Sequence, residues 1–317
     1  MYGAITIYKK ELSDHFSSNR FLILFALIAM VSLITAYMAG LNLAKNLEGI
    51  AKPKFVFLLM FTSSGVQFSL VQFIAFFGPL IGLMLGFDTI NRERNEGTLS
   101  KLLSQPIYRD SVINGKFLAG LTIISLMVVS IILVVSGLGL TMIGVVPGVE
   151  EVCRLCIYVI ISIFYLAFWL GVAILFSILF RTVSTSALAA LAFWIFFSFF
   201  IYLGASAVAG ALVPDAMDDS NMMILRSKIE KSLALTSPLQ LYTDATATII
   251  DPMRRTTKSI VQVGMMEQIS MARFAGPLPL SQSVLVVLPY IISLIAVSMI
   301  CFAISYVVFM KQEIRSL

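Results

Sequence analysis

FLAGLTIISLMVVSIILVVSGLGLTMIGVVPGV, the stretch from Phe117 to Val149, contains no Asp, Glu, Lys, Arg or His. A helix needs about 20 predominantly apolar residues to cross a hydrocarbon core, so this stretch is long enough to span a bilayer. Five similar runs accompany it: Phe21 to Ala44, Phe55 to Phe87, Leu155 to Phe180, Thr182 to Pro214 and Phe274 to Met310. Within the longer runs the spans are placed near 66–88, 117–145, 186–211 and 284–310. The pattern predicts an all-α membrane protein with six transmembrane helices.

Composition agrees. The chain is 59% hydrophobic and 12% charged, far from the usual soluble mix of about half apolar and a quarter charged. Lys and Arg number 22 against 17 Asp and Glu, but they sit beside the apolar blocks and no basic stripe interleaves with aromatics. That placement fits topology signals and anionic lipid headgroups, and excludes nucleic acid as the expected partner. The run from Phe21 is too long for a signal-peptide core and is expected to be a retained anchor.

Short loops on one side carry Lys9, Lys10, Arg20, Arg92, Arg94, Lys101, Arg109, Lys116, Arg181, Lys311 and Arg315, against Lys45, Lys52, Lys54 and Arg154 opposite. The asymmetry predicts cytoplasmic termini. Three parts follow: 1–212 with spans one to five, 213–283 as a helical extracytoplasmic insertion, and 284–317 with span six and a cytoplasmic tail. In the insertion Ser220 is a plausible N-cap, and Met222, Leu225, Ile229 and Leu233 recur at helical spacing. Its methionines and the Cys153/Cys156 pair invite a metal reading, but core packing and small apolar helix residues explain them, so no metal site is expected. At the N-terminus, Ile5, Tyr8, Leu12 and Phe16 share a helical face, as in an interfacial helix.

The link between spans two and three carries most of the functional information. Glu93-Arg94-Asn95-Glu96-Gly97-Thr98-Leu99-Ser100-Lys101-Leu102-Leu103-Ser104-Gln105-Pro106 places Leu99, Leu102 and Leu103 at i, i+3, i+4 between a glycine and a proline. An ordinary basic loop would explain the charges but not the framed leucine stripe. This run, followed by Gly115-Lys116 before a long apolar span, resembles the type-2 ABC-transporter permease family. Lys10-Glu11-Leu12 is similar to the family's elbow helix, and Thr236-Ser237-Pro238 to a looser family feature.

The resemblance implies a dimer of permeases, most simply a homodimer, with two cytoplasmic ABC ATPase subunits. Each ATPase would be contacted by a coupling helix near 96–105, through Glu93, Arg94, Glu96, Gly97, Thr98, Leu99, Lys101, Leu102, Leu103 and Pro106. It also implies a substrate pathway between spans two and five, on which Gln72, Phe76, Ser198, Phe199 and Tyr202 are the candidates. No cofactor is expected in this chain, because Gly115-Lys116 lacks the first glycine of a P-loop and is followed by Phe117. ATP and Mg would be bound by the partner. Membrane lipids complete the partner set, and the insertion leaves room for an extracytoplasmic accessory protein.

The expected function is therefore the permease subunit of an ATP-binding-cassette exporter, not itself an enzyme, in the plasma membrane. The alternative is an ion-coupled or structural polytopic protein without an ATPase. Ion-coupled machines usually need ionisable groups at the bilayer midplane, and the six runs lack them. A membrane hydrolase is disfavoured by a single histidine outside the spans.

Overall fold

The computed structural model describes residues 2–46, 55–62, 69–105, 107–214, 220–252 and 277–312. All regular structure among them is helical. Six helices are long and apolar enough to cross a membrane: Asn19–Lys45, Leu70–Asn95, Arg109–Ile143, Val149–Leu179, Val183–Leu212 and Leu280–Lys311. The chain is a multi-pass membrane protein.

The elements are α1 (Tyr2–Phe16), α2 (Asn19–Asn46), α3 (Val56–Thr62), α4 (Leu70–Gly86), α5 (Asn91–Asn95), α6 (Thr98–Leu103), α7 (Arg109–Ile143) and α8 (Val149–Leu179). Next come α9 (Val183–Ile195), a π-helical turn (Phe196–Phe200), α10 (Ile201–Leu212), α11 (Ser220–Ala234), α12 (Pro238–Ile250) and α13 (Leu280–Lys311). They group into two units, Met1–Ala190 with Ile295–Leu317, and Leu191–Leu294.

In the first unit, the apolar run from Phe55 is two helices rather than one. Glu151, buried at the start of α8, shows how α3 is held. Its Oε1 accepts from the Phe57 amide at 3.1 Å and its Oε2 from the Gly148 amide at 2.9 Å, so one carboxylate serves the first turns of two helices.

Span two and span four pack backbone to backbone. Gly78, Gly82 and Gly86 form one stripe of α4. A Cβ on Gly82 would lie 2.8 Å from the Leu166 carbonyl oxygen, and one on Gly86 would lie 2.6 Å from the Ala173 Cβ. Hydrophobicity gives little preference for helix over lipid, so small residues that permit close approach drive such contacts. Pro79 lies between them. A proline has no N–H for the carbonyl four residues earlier, and that carbonyl, Ala75, accepts from the buried Tyr165 hydroxyl at 2.7 Å. Span six joins span four in the same way, with Ser298 donating to the Phe164 carbonyl at 3.0 Å and Ser305 to Gly171 at 3.1 Å. A Tyr165→Phe change should leave the Ala75 oxygen unsatisfied and cost about 1–3 kcal/mol, read as a lowered midpoint in thermal unfolding.

In the second unit, the π turn interrupts the regular ladder of span five. The Ser237 hydroxyl donates to the Phe197 carbonyl at 2.6 Å, which places the start of α12 against the turn. Pro238 follows as the first residue of α12, where a missing N–H is harmless. In α12, Asp244 is buried, accepting from Gln240 at 3.0 Å, with Lys231 3.8 Å away. The row expected to pack along α11 does not do so as a unit: Met222, Leu225 and Leu233 are exposed. The covered side instead runs through Arg226, Ile229, Glu230 and Ala234. Gly210 on α10 is the reason at one point, since its bare backbone admits the Arg226 guanidinium within 3.3 Å of a notional Cβ.

Candidate functional site

The segment after span two is fixed by hydrogen bonds rather than left as a slack loop. Ser177 on α8 accepts through Oγ from the Ile90 and Asn91 amides, at 2.8 and 3.1 Å. These are the N–H groups that a new helix leaves unpaired. Asn91 is fully buried and donates to the carbonyls of Phe87 and Thr182, while Ser186 donates to Phe87 at 2.8 Å. Short helix α5 therefore leaves span two in one direction.

Gly97 then turns the chain into α6 with φ 68°. No atom lies within 4 Å of where its side chain would be, so the requirement is conformational. A left-handed backbone costs an L-residue about 1–2 kcal/mol. Thr98 closes the turn by donating to the Glu93 carbonyl at 3.2 Å.

The leucine stripe divides. Leu99 is 1% exposed and lies inside this chain, so it secures α6 rather than standing on an outer surface. Leu102 is half-buried. The Leu103 side chain and Pro106 lie outside the described residues. The outward surface is made by Ser100, Lys101, Ser104 and Gln105, continuing to Tyr108 at 82% exposure. Glu96 is exposed and pairs with Arg92 at 3.1 Å.

Adjacent residues of α5 tie this segment in two directions. Glu93 accepts from Lys116 at 2.9 Å, and the same ammonium reaches Glu11 of α1 at 2.8 Å. The Lys116 side chain is only 2% exposed. Gly115 makes the meeting possible: a Cβ there would lie 2.9 Å from the Ile7 side chain and 3.0 Å from the Ala4 carbonyl, so α1 lies flush on α7. Arg94 donates to the Gln312 side chain at 2.6 Å. Gln312 also donates to the Ile178 carbonyl at 3.1 Å, and its own carbonyl accepts from Arg109 at 3.1 Å. Glu93 thus joins α5 to α1 and α7, and Arg94 joins it to the ends of α8 and α13.

Burial pushes the Glu11 carboxyl up, but Lys116 and then Lys10 outweigh it and hold the group below the ordinary value of 4.5. A carboxyl whose folded value is depressed contributes stability above its unfolded value and loses it as pH falls through the folded one. Hydrogen-exchange protection of α1 should therefore be full at neutral pH and decline once the pH drops below 4.5, and Glu11→Gln should flatten that acid limb. Burial also lowers His15 below 6.5, keeping it neutral at pH 7.

The pathway candidates divide between the two units. In the first, Gln72 accepts from the Ser69 amide at 3.0 Å while Ser69 accepts from the Gln72 amide at 3.3 Å, a reciprocal cap on α4. Phe76 is half-buried, edge-on to Phe77. In the second, Ser198 is buried in the π turn with no partner for its hydroxyl among the described residues. Phe199 is edge-on to Trp194, and Tyr202 bonds with Glu230. Such π turns occur often at functional sites.

Sequence reading missed both anchors: the meeting of Glu11 and Lys116 with Glu93, and Gln312 as the partner of Arg94. Lys116 had the form of a topology signal, and nothing in the spacing of residues 11, 93 and 116 indicates that they meet.

A family model described as ABC-2 family transporter protein matches residues 5–314. The chain is also similar to the probable ABC transporter permease protein NosY of Pseudomonas aeruginosa, at 30% identity over 145 residues. That match covers 46% of this chain and 47% of the relative, so the chain spans about half the length of the curated relative it matches.

Proposed function

The chain belongs to the ABC-2 family of transporter proteins, and we propose that it is the permease subunit of an ATP-driven exporter in the plasma membrane. ATP and Mg are bound by a separate cytoplasmic ABC ATPase. A second copy of the chain completes the pathway, with Gln72, Phe76, Ser198, Phe199 and Tyr202 as its candidate lining. Both termini, α1 and α5–α6 are cytoplasmic, α1 is the elbow helix, and α6 with its flanks is the coupling helix.

The observation that carries this reading is the two-sided wiring of α5. A helix that receives an ATPase must pass rigid-body motion into the spans. Glu93 links it through Lys116 to α7 and α1, and Arg94 links it through Gln312 to α8 and α13. The surface offered to the ATPase is Lys101, Ser104, Gln105 and Tyr108, with Leu102 at its edge, while Leu99 holds the helix from beneath.

Lys101→Glu combined with Tyr108→Ala should weaken ATPase association about tenfold, equivalent to about 1.4 kcal/mol, with normal membrane insertion. ATPase association and nucleotide-dependent transport at wild-type levels would refute the assignment, and transport without nucleotide dependence would favour an ion-coupled protein. Labelling of single cysteines should place position 100 inside and position 220 outside. The reverse pattern would reject the orientation.

A further inference from the structure

A cleft of about 970 Å³ opens among α1, the start of α2, the end of α4 and α6, and its rim shares Lys101, Leu102 and Gln105 with the surface assigned above to the ATPase. Its lining is amphipathic. Phe21, Leu24, Met84 and Leu85 come from the apolar lengths of the first two spans, and the remaining lining is mostly polar and comes from α1, the ends of those two spans, α6 and Lys116 near the start of span three. The cleft therefore lies at the level where a bilayer changes from hydrocarbon to headgroups.

Its charges are sorted. One connected set of ion pairs holds the two cations Lys10 and Lys116 against the three carboxylates Glu11, Asp14 and Glu93, leaving a net −1. A second set is balanced, with Arg20 and Arg92 against Asp88 and Glu96. Its pairs to Asp88 are loose, 3.4 Å from Arg20 and 3.9 Å from Arg92, and both arginines are more than half exposed. Lys101 also lines the cleft and has no ion pair among the described residues. Asn19, Arg20 and Phe21, the first turn of α2, line it too, and the positive end of a long helix favours an anion there. The cleft thus presents spare cationic donors and a separate surplus of carboxylate.

We propose that this cleft binds one phospholipid of the leaflet that contains α1, of the zwitterionic class whose headgroup joins a phosphate to a primary ammonium. The phosphate takes Arg20, Lys101 and the start of α2. The ammonium takes the Asp14 side of the carboxylate-rich set, and the first carbons of the acyl chains lie along Leu24 and Met84. An anionic headgroup would leave the surplus carboxylate unanswered. A quaternary ammonium cannot donate hydrogen bonds to it.

The test uses the full chain in nanodiscs made from equal parts of dioleoyl phosphatidylethanolamine, phosphatidylglycerol and phosphatidylcholine, with retained lipid counted by native mass spectrometry after detergent extraction. One phosphatidylethanolamine per chain is expected, favoured about tenfold over either competitor. Arg20→Gln with Lys101→Gln should lower retention of every phospholipid. Asp14→Asn, on an exposed side chain that does not threaten the fold, should abolish the preference over phosphatidylglycerol while total retention persists. Retention without preference, or preference unchanged in Asp14→Asn, would overturn the proposal. So would displacement by soluble phosphoethanolamine at lipid-equivalent concentration, since the site would then read a free phosphate ester and not a lipid.

Discussion

Lys116→Met should release α1 from α7 and destabilise the chain by about 3–5 kcal/mol, the usual result of removing one partner from a buried charge set. The reason lies in what remains. Lys116 is nearly enclosed and its ammonium is shared by Glu11 and Glu93. Its loss leaves two carboxylates facing one site, with only the exposed Lys10 beside them at 3.4 and 3.7 Å. Thermal unfolding in detergent should show a lowered midpoint, and amides of α1 should lose exchange protection before those of the spans. The triple variant Lys116→Met, Glu11→Gln, Glu93→Gln should recover much of the loss, because a buried ionic set contributes little net stability against an uncharged replacement. A Lys116→Met protein with wild-type midpoint and protection would show that the set is solvated in the membrane.

Gly82→Val should be at least as damaging. A Cβ at that position would meet the backbone of α8, 2.8 Å from the Leu166 oxygen and 2.9 Å from the Leu170 nitrogen, and backbone cannot move aside as a side chain can. Overpacking commonly costs about 1–3 kcal/mol where neighbours relax, and here the two spans must separate. Little folded protein should accumulate in the membrane. Gly137 on α7 supplies the control, because nothing lies within 4 Å of its notional Cβ. There Gly137→Ala should be neutral or gain up to about 1 kcal/mol from helix propensity. Equal expression and equal midpoints for Gly82→Val and wild type would disprove the close packing of α4 on α8.

The spans were legible because charge-free length is a local property, and all six appear where the runs predicted them, apart from the separate helix α3. Packing was less legible because a membrane reverses the usual rule. Ile5 and Phe16 of the expected apolar face of α1 are exposed, as suits a surface turned to lipid. The covered positions are Ile7 and Glu11, with Gly115 opposite. Pro79 stands inside a charge-free run where its missing N–H can be read locally, but Tyr165 cannot be read as the donor that satisfies the freed carbonyl, since that residue lies 90 positions away from Ala75. The short helix framed by Gly97 was readable from its leucines. Which leucine turns inward depends on the Ser177 and Asn91 bonds that aim α5, and those are tertiary.

If α6 is where an ATPase acts on this chain, cross-linking from its outer surface should capture that ATPase. With Cys153, Cys156 and Cys301 replaced by alanine, single cysteines at Ser104 and, as control, at Val146 would carry a photoactivatable cross-linker in native membranes. Position 104 should join a P-loop ATPase, ATP should change the yield, and position 146 should join none. An ATPase that co-purifies with the chain yet is never reached from position 104, in the presence or absence of ATP, would place the point of contact elsewhere and overturn the assignment of α6.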